Sequence, residues 1–180
     1  MNNSQTTLSA LILKTSVVHT VTYMFMGFFA LNFLNYHQAF SSGPLAGFMR
    51  PTTHPLVALG PMLQPIRGLV FALAFYPLRG VLFEKKNGWL VLWWTLIALG
   101  ILSTFGPSPA SIEGMIFTVV PTTIKSYLEI VPQAFLLSGI LFYWINHPEK
   151  KWLNWLLGVA FLLVIVLSAT AFYAVKAPGN

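Results

Sequence analysis

Long apolar runs alternate with short polar or Pro/Gly-rich breaks along the whole chain. About 20 consecutive apolar residues are needed to cross the hydrocarbon core of a bilayer as a helix. On that measure the pattern predicts five membrane helices. The first runs from about Leu11 to Asn35 and the second from Gly60-Pro61 to near Phe83. A third covers about Gly88 to Ser103, a fourth runs from Pro121 to near Asn146, and a fifth from about Trp152 to Val175. The expected fold class is therefore all-α, a polytopic helical bundle forming a single membrane domain over residues 1–180. One amino-terminal helix precedes two helical hairpins, about 61–106 and 121–176.

The breaks carry turn chemistry. Ser41-Ser42-Gly43-Pro44 and Met49-Arg50-Pro51 punctuate a loop after the first helix. The apolar piece from His54 to Leu59 is too short to span, so residues 52–60 are expected as a re-entrant or interfacial segment. The Gly/Pro/Ser stretch from Phe105 to Ser111 leads into a second such segment, 111–120. There, Ser111 followed by Glu113 reads as a helix cap.

Composition narrows the class. Of 180 residues, 56% are hydrophobic and 8% charged, and mean hydropathy is +0.72. A soluble domain carries about a quarter charged residues, so a water-soluble fold of this size is excluded. The net charge is +6 without any Lys/Arg run, which argues against nucleic-acid binding. With no cysteine there are no disulfides, thiolate metal sites or cysteine nucleophiles. The stretch Met1 to Ser9 is polar and uncharged and lacks the basic start of a signal peptide, so the first apolar run is expected to be a retained helix.

Charge sets the expected orientation. Glu84-Lys85-Lys86 and Glu149-Lys150-Lys151 each join two apolar runs, and all six tryptophans lie near these two turns. Lys and Arg close to membrane helices favour the cytoplasmic side, and indoles favour the headgroup zone. Lys14, Arg79, Lys85, Lys86, Lys150 and Lys151 would then face inward, against Arg50, Arg67, Lys125 and Lys176 in the outer half or outside. The amino terminus is expected in the cytoplasm and the carboxyl terminus outside, in a cytoplasmic membrane of bacterial type.

Candidate chemistry sits on the second and fourth helices, where ionisable groups cost about 2.5–3.5 kcal/mol each on insertion scales. Gln64 and Arg67 share a helix face. Arg67 is expected about 9 Å beyond Pro61, with Pro65 freeing the Pro61 carbonyl. On the fourth helix Lys125, Glu129 and Gln133 are spaced as one polar stripe beside a backbone break at Pro132. An Arg67–Glu129 ion pair would knit the two helices. A cavity between them would instead let Arg67 clamp a carboxylate or phosphate. His54 joins the outer cluster, while His19 is expected near the inner end of the first helix, away from it.

No metal motif occurs, Gly-x-Ser-x-Gly is absent, and nothing identifies a cofactor. The leading expectation is binding or transport of a small anionic solute or a lipid headgroup at Gln64, Arg67, Lys125, Glu129, Gln133 and His54. The alternatives are an intramembrane enzyme using Glu129 or Glu113 with His54 as acid and base, and an accessory membrane subunit without ligand. Expected partners are the lipid bilayer and a membrane-protein partner or a second copy of the chain.

Overall fold

The computed structural model describes residues 6–43 and 45–176. The polar stretch before Thr6, the Pro44 of the loop and the last four positions lie outside the described residues. All regular structure among the described residues is helical, with no strand.

Helix α1 (Leu8–Phe33) starts at Thr7, whose Oγ1 accepts the Ala10 N–H at 3.3 Å. It is about 39 Å long at 1.5 Å per residue. Asn35 then takes a left-handed turn at φ 56° and leads into the short α2 (Tyr36–Ser41).

The next rod corrects the sequence expectation. α3 (Pro55–Leu59), a 3-10 turn (Gly60–Leu63), α4 (Gln64–Phe75), a second 3-10 turn (Tyr76–Leu78) and α5 (Arg79–Leu82) follow one another without a break. Together they form one apolar rod of 28 residues, Pro55–Leu82. The piece around His54–Leu59 is thus not re-entrant but the start of this rod. Pro55 occupies a first-turn position where a missing N–H costs nothing. The His54 Nδ1 caps the turn by accepting the Leu56 N–H at 3.2 Å.

Pro61 and Pro65 tighten the rod locally instead of ending it. Each removes one N–H from the ladder, and the preceding residue supplies the bond in 3-10 register: Gly60 N–H to the Val57 carbonyl and Gln64 N–H to the Pro61 carbonyl. The Pro61 carbonyl expected to be free is therefore taken.

α6 (Gly88–Ile97) runs into a π turn (Ala98–Leu102). α7 (Ile112–Phe117) is a short surface helix, capped as expected by Ser111, whose Oγ accepts the Gly114 N–H at 2.9 Å. A 3-10 turn (Ile124–Tyr127) precedes α8 (Ile130–Asn146), and α9 (Lys151–Lys176) closes the chain. Four rods are long and apolar enough to cross a membrane: Leu8–Phe33, Pro55–Leu82, Ile124–Asn146 and Lys151–Lys176. The third expected span, Gly88–Leu102, is shorter, about 22 Å by helical rise.

Packing is organised by α1, which lies against α4, α8 and α9, while α6 packs on α8 and α3 on α9. The crossing of α1 and α4 is very close. A Cβ placed on Gly68 would come 2.4 Å from the Ser16 Cα. At the same level the Ser16 hydroxyl donates to the Pro65 carbonyl at 3.1 Å.

α9 is stitched to the 3-10 turn by Ser168. Its hydroxyl donates to the Ala58 carbonyl at 2.6 Å and accepts the Met62 N–H at 3.3 Å, standing in for the helix bond between those two residues. At the opposite end of α1, Lys14 Nζ donates to the Trp144 carbonyl at 2.9 Å, near the end of α8. Leu11, Leu82, Leu92, Trp144 and Leu153 share one core cluster there. The ends carrying the two basic turns and the start of α1 are thus gathered at one end of the bundle.

The tryptophans divide. Trp94, Trp152 and Trp155 are exposed, but Trp144 is buried, and Trp89 and Trp93 pack edge-on against Phe135 at 5.6 and 5.5 Å.

The close crossing is directly testable. Gly68→Val should cost more than the roughly 1–3 kcal/mol of ordinary overpacking, because the obstacle is backbone. Gly27→Ala, which meets nothing within 4 Å, should change stability by less than about 0.5 kcal/mol. Thermal unfolding in detergent measures both. Equal melting temperatures for the two variants would contradict the packing of α1 on α4.

Candidate functional site

The antiparallel pairing of α1 and α4 sets one wall of the site. His19 lies one helical turn beyond Ser16 and meets Gln64, one turn before Gly68. Their contact is His19 Nε2 to Gln64 Oε1 at 3.1 Å. The Gln64 amide N–H₂ donates to the Gly60 carbonyl at 3.0 Å, which orients its oxygen toward the imidazole. In a neutral imidazole one nitrogen donates and the other accepts. Nε2 is therefore the donor, and Nδ1 is an acceptor with no hydrogen-bond partner among the described residues although His19 is only 2% exposed. The ring stands edge-on to Phe71, with centroids 5.0 Å apart.

Beside this wall lies a half-open cavity of about 330 Å³ between α1, α4, α6 and α8. Its polar lining comes from His19, Arg67, Ser108 and Gln133, and the rest is largely apolar, including Phe71 and Leu137. The π turn contributes Gly100 and Ile101. π turns are rare and concentrate at functional sites.

Arg67 sits deeper than its distance from Pro61 implies. Measured from Pro55, where the rod begins, it is about 18 Å along the axis, near mid-rod. Its guanidinium lies 5.8 Å from the Phe71 ring centroid, and it makes no hydrogen bond or ion pair among the described residues.

The expected Arg67–Glu129 pair does not form. Glu129 instead accepts a hydrogen bond from the Tyr36 hydroxyl of α2. Burial, and then the bond to Glu129, push the Tyr36 phenol above its ordinary pKa, so it keeps the proton it donates. Tyr23 of α1 lies within electrostatic range of both Arg67 and Glu129.

The polar stripe expected on the fourth helix is also broken up. Lys125 lies in the 3-10 turn and is exposed, Glu129 is the residue before α8, and Gln133 alone lines the cavity. The cause is the run Thr118 to Thr123. β-Branched residues and Pro121 disfavour helix there, and Thr123 caps the 3-10 turn reciprocally with Ser126. α8 therefore starts late, which places Pro132 in its first turn. There the ring removes no ladder bond, and the backbone break expected at Pro132 is absent.

His54 is occupied as the cap of α3 and has Arg50 Nη1 3.4 Å from its Nε2. It shares no hydrogen bond with Glu113 or Glu129 among the described residues. Glu113 lies exposed in the first turn of α7. No group of three His, Asp or Glu side chains that could hold a metal forms among the described residues.

Of the six residues expected at a site, the structure puts Arg67 and Gln133 on one cavity. It ties Gln64 to that cavity through His19, pairs Glu129 with Tyr36, and leaves Glu129, Lys125 and His54 off the lining. The sequence pattern predicts His19 near the inner end of its helix. It lies near the middle instead, in the cavity wall, and an ionisable residue inside a span was the available signal. Tyr36, from a loop, carried no comparable signal. A guanidinium offers five N–H donors in a planar fork. With the Gln133 amide on the same apolar-walled lining, the arrangement could hold an oxyanion.

Double-mutant cycles check these assignments. Tyr36→Phe and Glu129→Gln should each cost about 1.5–3 kcal/mol, and together clearly less than the sum. Arg67→Met with Glu129→Gln should be additive within about 0.5 kcal/mol. Strong coupling in the second cycle and none in the first would invert the pairing described here.

The chain matches no known family model, and no curated protein or solved structure shows detectable similarity to it.

Proposed function

We propose that this is an integral membrane protein that binds a small anionic solute or an anionic lipid headgroup in the cavity between α1, α4, α6 and α8. The observation that carries the reading is Arg67. A charge at membrane depth is normally paired or faces a water-filled space, and this one lines a cavity with no hydrogen-bond or ion-pair partner among the described residues. Glu129, the carboxylate that could have neutralised it, is engaged by Tyr36. Gln133 and Ser108 stand on the same lining. The acid–base alternative lacks a supporting contact, since His54 serves as a helix cap.

In this reading the chain crosses the bilayer five times, with Gly88–Leu102 as a short third crossing. The basic turns at Lys85 and Lys150 and the start of α1 face the cytoplasm. The gathering of these ends with Lys14 at one end of the bundle supports that orientation.

Two measurements test the proposal. Native mass spectrometry of the detergent-purified protein should show an anionic adduct that Arg67→Lys loses while circular dichroism stays unchanged. Lysine keeps the charge but not the bidentate fork. An Arg67→Lys protein that retains the adduct would remove the clamp.

The chain has no cysteine of its own, so single-cysteine labelling reads topology directly. Lys85→Cys and Lys150→Cys should be shielded from an impermeant thiol reagent in intact cells, and Lys176→Cys should react. Labelling at Lys85 and not at Lys176 would reverse the orientation.

A further inference from the structure

The cavity is polarised along the helix axes. The rod Pro55–Leu82 and α8 run in the same direction, and both end at the basic turns. Arg67 lies 15 residues before the end of the rod and Gln133 lies 13 before the end of α8. The two polar residues are thus at nearly the same height. On each helix an apolar lining residue follows four positions later: Phe71 after Arg67 and Leu137 after Gln133. Four residues of α-helix rise about 6 Å. The lining therefore has a polar level and, about one turn nearer the basic end, an apolar level. α6 and the π turn add Leu96 and Ile101 to the apolar walls.

The polar level carries one charge. Among the described residues on the lining, Arg67 is the single cation, and no carboxylate stands there. His19 has no nitrogen to offer a ligand, because Nε2 is taken by Gln64 and Nδ1 is buried within the protein. The Gln133 amide has no hydrogen-bond partner among the described residues, and neither of its polar atoms is buried. A neutral amide beside a single guanidinium matches one negative charge and leaves a second one unpaired. An ammonium group would find no carboxylate on the lining, and Glu129 is engaged by Tyr36. A phospholipid headgroup is polar throughout and leaves the apolar level uncovered. An apolar body covers it, at about 25 cal/mol per Å². An enclosed apolar cavity of about 150 Å³ takes up benzene. The cavity here, at about 330 Å³, has room for such a body and a charged head.

We propose that the cavity takes a compact monocarboxylic acid. Its carboxylate sits at the level of Arg67 and Gln133, and its apolar body, with about the bulk of a benzene ring, lies against Phe71 and Leu137. This rests on the reading of Arg67 as an anion clamp and adds the charge and shape of the anion.

The test uses the full chain in phosphatidylcholine nanodiscs at neutral pH, with affinities read by isothermal titration calorimetry. Phenylacetate should bind at least about tenfold tighter than acetate, which lacks the body that the apolar level covers. Phenylacetamide should bind about tenfold weaker than phenylacetate, having lost a charge-assisted hydrogen bond. Phenylmalonate and phenylalanine should fall at least as far, since each adds a charge without a partner. Inorganic phosphate should bind no better than acetate. Soluble dihexanoylphosphatidylglycerol, an acidic lipid headgroup on short chains, should also be at least about tenfold weaker than phenylacetate.

Gln133→Lys puts a second cation on the polar level and should raise phenylmalonate relative to phenylacetate by about tenfold or more. Should that variant fail to fold, the ratio of the two acids on the unaltered chain decides the same point. A folded Gln133→Lys protein with an unchanged ratio would overturn the placement of the carboxylate beside Gln133. Phenylmalonate, phenylalanine or phosphate binding as tightly as phenylacetate would overturn the single-charge assignment. Acetate binding as tightly would overturn the apolar body, and the short-chain lipid binding as tightly would make a headgroup the ligand. Each of these results leaves the anion clamp standing. Phenylacetamide binding as well as phenylacetate, or no binding by any of the anions, would remove the clamp and this inference with it.

Discussion

The structure depends on how closely α1 approaches α4. Gly68 has no side chain at the point where Ser16 passes, and the Ser16 hydroxyl takes up the Pro65 carbonyl at the same level. In a bilayer, helices gain little from burying apolar surface against each other, so close van der Waals contact and interhelical hydrogen bonds must hold them. Small residues at a crossing make both possible. The register of this crossing then follows along the two helices. One turn from the contact, His19 faces Gln64, and a further turn on, Tyr23 comes beside Gly60. A side chain at position 68 would push the helices apart and dissolve the wall that carries the candidate site.

The polar groups inside the bundle are mostly accounted for. Thr20, Thr22 and Ser138 bond carbonyls of their own helices, Ser16 and Ser168 bond neighbouring ones, and Glu129 has Tyr36. Against this economy the exceptions stand out. His19 Nδ1 has no hydrogen-bond partner among the described residues, and the exposed Arg67 has no hydrogen-bond or ion-pair partner among them; both residues line one cavity. Thr15 Oγ1 and Thr122 Oγ1 also lack partners among the described residues, but neither residue lines it.

Prolines act here as tuners of helix geometry, not as terminators. Pro55 and Pro132 sit in first turns, where their missing N–H was unpaired anyway. Pro61 and Pro65 convert one stretch of the long rod to 3-10 register, and Ser168 of α9 enters the same stretch to bridge Ala58 and Met62. This bridge ties the last helix to the second rod at the level where Gln64 takes hold of Gly60. The irregular backbone thus has its missing ladder bond replaced by a neighbouring helix, one of the ways such backbone is satisfied at membrane depth.

The sequence by itself determined that this is an all-helical chain with apolar rods long enough to cross a bilayer. Apolar run length and scarcity of charge depend on no partner and survive into any fold. It also singled out Arg67 and Gln133, because an ionisable or amide side chain inside an apolar run stands out without a structure. The cap formed by Ser111 was legible too, being a contact across three residues. Tertiary structure decided the rest. Whether Arg67 meets Glu129 depends on where α8 starts, and Thr118 to Thr123 delay that start for local steric reasons that helix-length counting does not see. Tyr36 reaches Glu129 across 93 positions, and His19 reaches Gln64 across 45. Pairings at such separations are set by which helix lies beside which. That choice followed from a glycine small enough to let two backbones touch, and only in the folded bundle does Gly68 differ from any other glycine in an apolar run.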